Sequence, residues 1–423
     1  MAWKTNIIFA TLYATASTFA FYIEQPYAPI ISSLDAEIIP NSYIVVLKDG
    51  TRDSLLNHQA WLTSFLQIAN INTEGQVVTN QIDHIYDANG FKGYAGLFHD
   101  EVIERIREMD DVAYIEPNSM VYASELQKNA PWGLSRISHR EALSFGTYNK
   151  YLYDNKGGND VTAYIVDTGV NVEHEDFEGR ATWGATIPEN DEDKDGNGHG
   201  THVAGTVAGK RFGVAKGAKI VAVKVLRSNG SGTMADVVKG VTWVITAHQQ
   251  AVLEAQRAGK THKGSVANMS LGGGKSVALN EAVNSAVANG VHFAVAAGND
   301  NRDACSYSPA SAESAVTVGA SAINDERAWF SNHGKCVDIF APGKDIISTW
   351  IGSKVATNTI SGTSMASPHI CGLLAYMLSF ESNSTITPKE LKSKLIEAGT
   401  KDILQKLTGE TPNVLAYNNP PEA

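Results

Sequence analysis

The sequence predicts an α/β protein, a parallel sheet with helices on both faces, preceded by a small α+β domain. Three observations predict it. Apolar runs such as Val161–Val166 and Val291–Val295 read as strands buried on both sides, as parallel sheets require. A further strand-like run, Ile220–Leu226, is followed by helix-like stretches at Met234–Ala247 and Val277–Ala288, the alternation that wraps a parallel sheet in crossover helices. Residues 43–122 carry a different pattern, with strands and helices in the order βαββαβ. The length of 423 residues, 43% of them hydrophobic and only 19% charged, is enough for one large domain and a smaller one.

At the N-terminus, Lys4 precedes the apolar stretch Ile7–Phe21, which ends among the small residues Ala14, Ala16, Ser17 and Ala20. That form is a secretory signal peptide, residues 1–20, cleaved between Ala16 and Ala20. The alternative is an N-terminal membrane anchor, and no later apolar run has the length that spans a bilayer. In the small domain, Tyr43–Leu47 reads as a strand and Ser54–Gln67 as an amphipathic helix. Ile82–Tyr86 and Phe91–Phe98 read as strands, Glu101–Met109 as a second helix and Val112–Ile115 as a last strand. This order builds a ferredoxin-like sheet with two helices on one face. The net charge of −11, with no concentrated basic face, argues against nucleic-acid binding.

Three segments carry chemistry. The run from Val161 ends in Asp167-Thr168-Gly169, so a carboxylate stands at the carboxyl end of a buried strand, the rim where open α/β sheets place their sites. In Asn197-Gly198-His199-Gly200-Thr201-His202, glycines bracket a histidine just before a helix of small residues. In Ser361-Gly362-Thr363-Ser364-Met365-Ala366-Ser367-Pro368-His369, a serine stands where a tight turn opens a buried helix, Ile370–Phe380, with Pro368 expected in its first turn. There the free N–H groups of the helix end favour developing negative charge. Each segment alone has a structural explanation. The three together, in the order Asp, His, Ser, read as a nucleophile with its base and the base's orienting carboxylate.

On these motifs, everything from Asn129 onward resembles the subtilisin-like serine peptidases, within them the proteinase K, oryzin and cerevisin subgroup. Further matches are Ala130-Pro131-Trp132-Gly133-Leu134, His174-Glu175-Asp176-Phe177, Asn268-Met269-Ser270-Leu271-Gly272-Gly273-Gly274, Ser308-Pro309-Ala310-Ser311 and Phe340-Ala341-Pro342-Gly343. The resemblance implies a subtilisin-like fold and a serine endopeptidase. Ser364 would be the nucleophile, His199, hydrogen-bonded to it, the general base and acid, and Asp167 the group that holds the imidazole tautomer. Asn299, at the end of the Val291–Val295 strand, would donate to the oxyanion beside the Ser364 amide. Peptide substrates would add as a strand between Leu226–Gly232, including Ser228 and Gly230, and Ser270-Leu271-Gly272. Gly272, Gly273, Gly274 and Gly298 would leave a neutral pocket that favours apolar or aromatic residues.

The small domain is similar to the inhibitor-type propeptide of this family. The domains are then a signal peptide 1–20, a propeptide 21–124 with its folded part at 43–122, and a peptidase at 125–423. Release would follow cleavage near Ser124 and Glu125, the tail Ser119–Ser124 lying extended in the cleft. Of the three cysteines, Cys305 and Cys336 match cysteine positions of cerevisin-like enzymes and are assigned a disulfide, while Cys371 reads as a buried small hydrophobe. The family's cysteine beside the catalytic histidine is replaced by Val203.

Catalysis would need no cofactor. Asp338 matches a structural calcium ligand that works with carbonyls around Glu313 and Ala315. The stretch Asp191–Gly196 opens like an EF-hand loop, but its twelfth position is His202 rather than Glu, so it reads as a solvated acidic loop. Sequons stand at Asn229, Asn268 and Asn383. Asn383 is the best acceptor, Asn229 lies at the substrate edge, and Asn268 falls in the interior. The expected partners are polypeptide substrates and the chain's own propeptide, with no nucleic acid and no membrane, on a secreted, extracellular monomer. Delivery to a vacuole is the alternative that the cerevisin likeness suggests.

Overall fold

A computed structural model describes residues 27–32, 38–48, 53–70, 80–88, 90–119, 124–381 and 386–420. The signal segment 1–20, the stretch Met120–Ala123 and the sequon at Asn383 lie outside the described residues. The chain divides into two units, Met1–Val121 and Tyr122–Ala423.

The first unit runs β1 (Ile38–Leu47), α1 (Asp53–Ala69), β2 (Gln81–Ala88), β3 (Phe91–Leu97), α2 (Asp100–Arg107) and β4 (Val112–Ser119). The sheet order is β2-β3-β1-β4, all antiparallel. Val45 of β1, fully buried, stands opposite Tyr94 and Ile115 in register. Leu55, Leu62 and Leu66 of α1, with Val102, Ile103 and Ile106 of α2, complete the same core. Both helices therefore turn their apolar stripes to the sheet, as the helical spacing of those residues dictates.

The second unit begins with β5 (Ser124–Lys128), which pairs antiparallel with β6 (Lys150–Asp154) across α3 (Trp132–Ile137). Its strands continue as β7 (Val161–Asp167), β8 (Ala181–Thr186), β9 (Lys219–Lys224), β10 (Gly264–Met269), β11 (Gly273–Gly274), β12 (Val291–Ala296), β13 (Tyr307–Ser308) and β14 (Val316–Ser321). After these come β15 (Ile339–Pro342), β16 (Ile346–Thr349), β17 (Thr357–Ile360), β18 (Thr400–Lys401) and β19 (Val414–Leu415). Among the described residues nine strands form the main sheet, in the order β18-β19-β15-β14-β12-β10-β7-β9-β8. Every pairing from β8 to β19 is parallel. The edge strand β18 runs antiparallel, because the chain reverses on itself to reach β19.

Alternation along β7 shows why this sheet is buried on both sides. Ala163 and Ile165 join the core that holds α4 (His199–Ala208) and α7 (Thr363–Phe380). Tyr164 and Val166 join the core under α5 (Met234–Ala258) and α6 (Val277–Ala288). Each fully buried Val or Ile contributes about 1.5–3 kcal/mol. Helix α8 (Pro388–Ala398) adds Leu391 and Leu395 to the first core. Among the described residues no helix is long and apolar enough to cross a membrane.

Among the described residues of this unit, the most deeply buried ion pair joins Arg136 and Asp325. Arg136 is fully buried and donates through Nε and Nη2 to the Asp325 carboxylate at 2.6 and 3.3 Å, and through Nη1 to the His139 carbonyl at 2.6 Å. Asp325→Ala would strand that guanidinium without its counter-charge, a loss of about 3–5 kcal/mol. The expected result is a large drop in the denaturant midpoint, measured in an inactive background so that self-digestion does not intervene. An unchanged midpoint would show that the pair is dispensable.

Candidate active site

Because the central strands are parallel, their carboxyl ends share one rim. β7 ends there with Asp167, β10 is followed by Ser270, and β12 leads to Asn299. Helices α4 and α7, packed in one core, begin with His199 and with Thr363-Ser364.

Asp167 is fully buried, and its Oδ1 accepts from the Thr168 amide at 2.7 Å and from His199 Nδ1 at 2.8 Å. With the proton on Nδ1, Nε2 of the neutral ring is an acceptor. Burial works against the imidazolium, but the charge and hydrogen bond of Asp167, helped by Asp195, outweigh it and hold the His199 pKa above its ordinary 6.5.

The Ser364 hydroxyl corrects one expectation. It donates to the Ser270 carbonyl at 3.2 Å, and not to His199. A serine turns about a single rotor, and in this rotamer the carbonyl just past β10 receives its proton; catalytic hydrogen bonds commonly tighten only around bound substrate.

Pro368 corrects another, since it sits at the sixth residue of α7, inside the helix rather than in its first turn. Lacking an N–H, it leaves the carbonyl four residues back, that of Ser364, without a helical partner. Ser270 Oγ fills the gap, donating to that carbonyl at 2.7 Å. The fully buried Asn268 donates to Ser270 Oγ at 2.8 Å and accepts from Ser367 Oγ at 2.8 Å. Ser270 thus grips both ends of Ser364, and Asn268, which the sequence showed as an interior sequon opening a family match but gave no role, anchors the grip.

Asn299 is fixed by a residue the sequence reading passed over. Its Oδ1 accepts from the Thr363 amide at 2.8 Å and from Thr363 Oγ1 at 2.9 Å, which turns Nδ2 outward. A methyl placed on Gly362 would lie 3.5 Å from both Asn299 Nδ2 and the Ser364 amide nitrogen. Both nitrogens therefore border one small space, with Asn299 Oδ1 3.7 Å from the same point.

The acidic loop is not wholly solvated. Asp191 stays partly accessible and Asp193 exposed, but Asp195 is buried. Its Oδ1 accepts from Thr168 Oγ1 at 2.9 Å and from the amides of Asn197 and Gly198 at 3.0 and 2.9 Å. Its Oδ2 accepts from the Thr201 amide and hydroxyl at 3.0 and 2.6 Å. These bonds splint the turn that carries His199 to the end of β7. The buried Lys224 Nζ reinforces it, donating to the Thr168 carbonyl at 2.9 Å. In the sequence, Asp195 is only one carboxylate of an acidic run.

A cavity of about 490 Å³ opens beside His199. Of the expected substrate positions, Leu226, Gly230, Ser270, Leu271 and Gly272 line it, with Met234, Val237 and Leu279 adding apolar surface and no carboxylate. Ser228 and Gly298 do not. Ser228 packs over Gly196 while its carbonyl accepts from Asn197 Nδ2 at 3.1 Å. Gly298, at φ +104°, lies against Asn332, whose Nδ2 would be 2.3 Å from an added Cβ. Leu226–Gly232 is a turn closed by Arg227 and Ser231 rather than a strand. Among the described residues, the main chain of Leu271 and Gly272 has no hydrogen-bonded partner.

The residues around Asp338 do not fit a calcium ion. Its Oδ2 meets Lys392 Nζ at 2.8 Å, and the same ammonium donates to the carbonyls of Ala315 and Glu313 at 2.6 and 3.2 Å. A cation is already there. Among the described residues no group of three or more His, Cys, Asp or Glu could hold a metal. Cys305 and Cys336 form the expected disulfide, with Cα atoms 5.2 Å apart, and Cys371 is buried in α7. Closing a loop of 31 residues stabilises by roughly 3–4 kcal/mol. Asn229 is exposed, its Oδ1 accepting from Ser231 within its own turn.

Comparison with known proteins agrees with this geometry. Residues 158–413 match the subtilase family, Peptidase_S8, and residues 42–124 match Peptidase inhibitor I9. "Subtilisin-like protease 8" of Trichophyton verrucosum is 56% identical over 416 residues, 94% of this chain and 85% of the relative. "Subtilisin-like serine protease Pen ch 18" of Penicillium rubens is 56% identical over 419 residues, 94% of this chain and 84% of the relative. A solved structure titled "Crystal structure of a cold adapted subtilisin-like serine proteinase" aligns with a TM-score of 0.61 at 46% identity, over 69% of this chain and 99% of that one. The parallel sheet with its shared rim, the Asp167–His199 pair and these matches over most of the length have one explanation: the chain belongs to the subtilase family of serine proteases and carries an I9 propeptide domain at its N-terminal end.

Proposed function

We propose that this protein is a secreted, extracellular endopeptidase of broad specificity, made as a zymogen that processes itself. Ser364 attacks the peptide carbonyl while His199 Nε2 takes its proton and returns it to the leaving amine. Asp167 stabilises the imidazolium without itself becoming protonated. The oxyanion settles between Asn299 Nδ2 and the Ser364 amide. The observation that carries the reading is that those two nitrogens border one space at the rim where the Asp167–His199 pair stands.

The free backbone of Leu271 and Gly272 suits an added substrate strand, and main-chain bonding is indifferent to side-chain identity. The carboxylate-free, apolar cavity supports a preference for apolar or aromatic residues. Residues 1–20 act as the signal peptide and residues 21–124 as the propeptide, an intramolecular inhibitor of the monomeric peptidase 125–423. Asn229 and Asn383 are its candidate glycan acceptors.

Incubating the purified precursor with casein and with a peptide library, with and without a serine-directed phosphonylating reagent, tests the proposal. Cleavage mainly after apolar residues, abolished by the reagent, is the expected result. A strict requirement for Arg or Lys would refute the pocket reading, and insensitivity to the reagent would refute the mechanism. Asn299→Ala is expected to lower kcat by about 10²–10³ with little change in KM, since its amide acts on charge that exists only in the transition state. Steady-state kinetics on one peptide ester would check the split between the two constants.

A further inference from the structure

We propose that Lys392 is a built-in cation: its ammonium fills, from within the chain, an oxygen cage that a divalent ion would otherwise occupy, and so frees this corner of the sheet from calcium. Three acceptors face Nζ, namely Asp338 Oδ2 at 2.8 Å and the carbonyls of Ala315 at 2.6 Å and Glu313 at 3.2 Å. An ammonium has three N–H donors, so the cage satisfies every one. The charges also close. One carboxylate and two neutral carbonyls need one positive charge, which lysine supplies.

Calcium requires six to eight oxygens at about 2.3–2.6 Å, and an ion at this position would stand against the ammonium, while among the described residues no group of three or more His, Cys, Asp or Glu is placed to hold it. The cage is rigid on both sides. Ala315 immediately precedes β14 and Asp338 immediately precedes β15, adjacent parallel strands, and Asp338 Oδ2 also accepts from the Thr317 amide at 2.8 Å. Lys392 projects from α8, whose start is fixed by a capping box between Thr387 and Glu390. The side chains of Lys392 and Asp338 are only 19% and 23% exposed, so solvent ions compete poorly for the position. The lysine therefore ties α8 across two sheet strands, the cross-linking task an ion would perform, without dissociating when calcium is scarce.

The test uses the full-length chain carrying Ser364→Ala, so that proteolysis does not intervene. Thermal midpoints are measured in EDTA and in millimolar calcium for this parent, for Lys392→Met, and for Lys392→Met with Asp338→Asn. In EDTA, Lys392→Met is expected to melt below the parent by about 2–4 °C or more. Calcium is expected to raise its midpoint by more than the parent's, and the excess to vanish once Asp338 is also replaced. Equal calcium responses in Lys392→Met and its parent would overturn the proposal. Equilibrium dialysis with radioactive calcium decides independently of whether the methionine variant folds. Equal calcium stoichiometry in the parent and in Asp338→Asn supports a cage already filled by lysine, and one ion fewer in Asp338→Asn overturns it.

Discussion

Ser364→Ala is expected to lower turnover by roughly 10⁶-fold and to leave the precursor joined to its propeptide, while the fold stays intact. The structure explains why such a loss would be purely chemical. The hydroxyl donates to the Ser270 carbonyl at 3.2 Å, a bond worth about 1 kcal/mol, and alanine fits the same turn. The more important tie, from Ser270 Oγ to the Ser364 carbonyl, uses the main chain and survives the substitution. Helix α7 therefore keeps its anchor, and the two N–H groups proposed to bind the oxyanion keep their places. Gel analysis of the purified precursor over time, with circular dichroism melting of the same sample, separates the two effects. Normal self-cleavage by the variant would remove Ser364 from the mechanism, whereas a collapsed melting curve would make its loss of activity uninformative.

The second large effect is Asp167→Asn, for which a fall in kcat of about 10⁴ is expected, together with a displaced pH profile. The carboxylate holds the His199 pKa above 6.5 against the opposing influence of burial. Only the neutral ring can take a proton from Ser364. In the native enzyme, activity is therefore lost as the pH falls through that raised pKa. Removing the charge leaves burial opposed only by the weaker influence of Asp195, so the acid limb of kcat/KM moves to lower pH even as the plateau drops. Stability responds with the opposite sign. The contribution of His199 to folding is fully present below pH 6.5 and is lost as the pH rises through the folded-state pKa. An acid limb that stays in place in Asp167→Asn would show that another group sets it.

Much of this was legible because it is local. The βαββαβ order followed from short-range periodicity, and each of its six elements formed with its ends displaced by a few residues. Strand-end placement marked Asp167, flanking small residues marked His199 and Ser364, and the family resemblance marked Asn299. Local signals also misled. Pro368 read as a first-turn proline, because nothing nearby announces that Ser270, 94 residues away, would rescue the carbonyl it orphans. Asp195 looked like its solvated neighbours, since burial depends on how the turn folds back onto Thr168. Ser228 and Gly298 stood in plausible segments but point elsewhere.

Its resemblance to the subtilisin-like peptidases nominated the four residues proposed for catalysis, and by itself the sequence determined the class of fold and the order of its elements. Those depend on the spacing of apolar and small residues along neighbouring turns. Only the tertiary structure decided that Thr363 orients Asn299 across 64 residues, that Asn268 and Ser270 brace Ser364, and that Lys392 reaches the Ala315 carbonyl across 77. Such contacts depend on which strands become neighbours in the sheet. That order is settled by the collective burial of both faces, and no stretch of sequence encodes it locally.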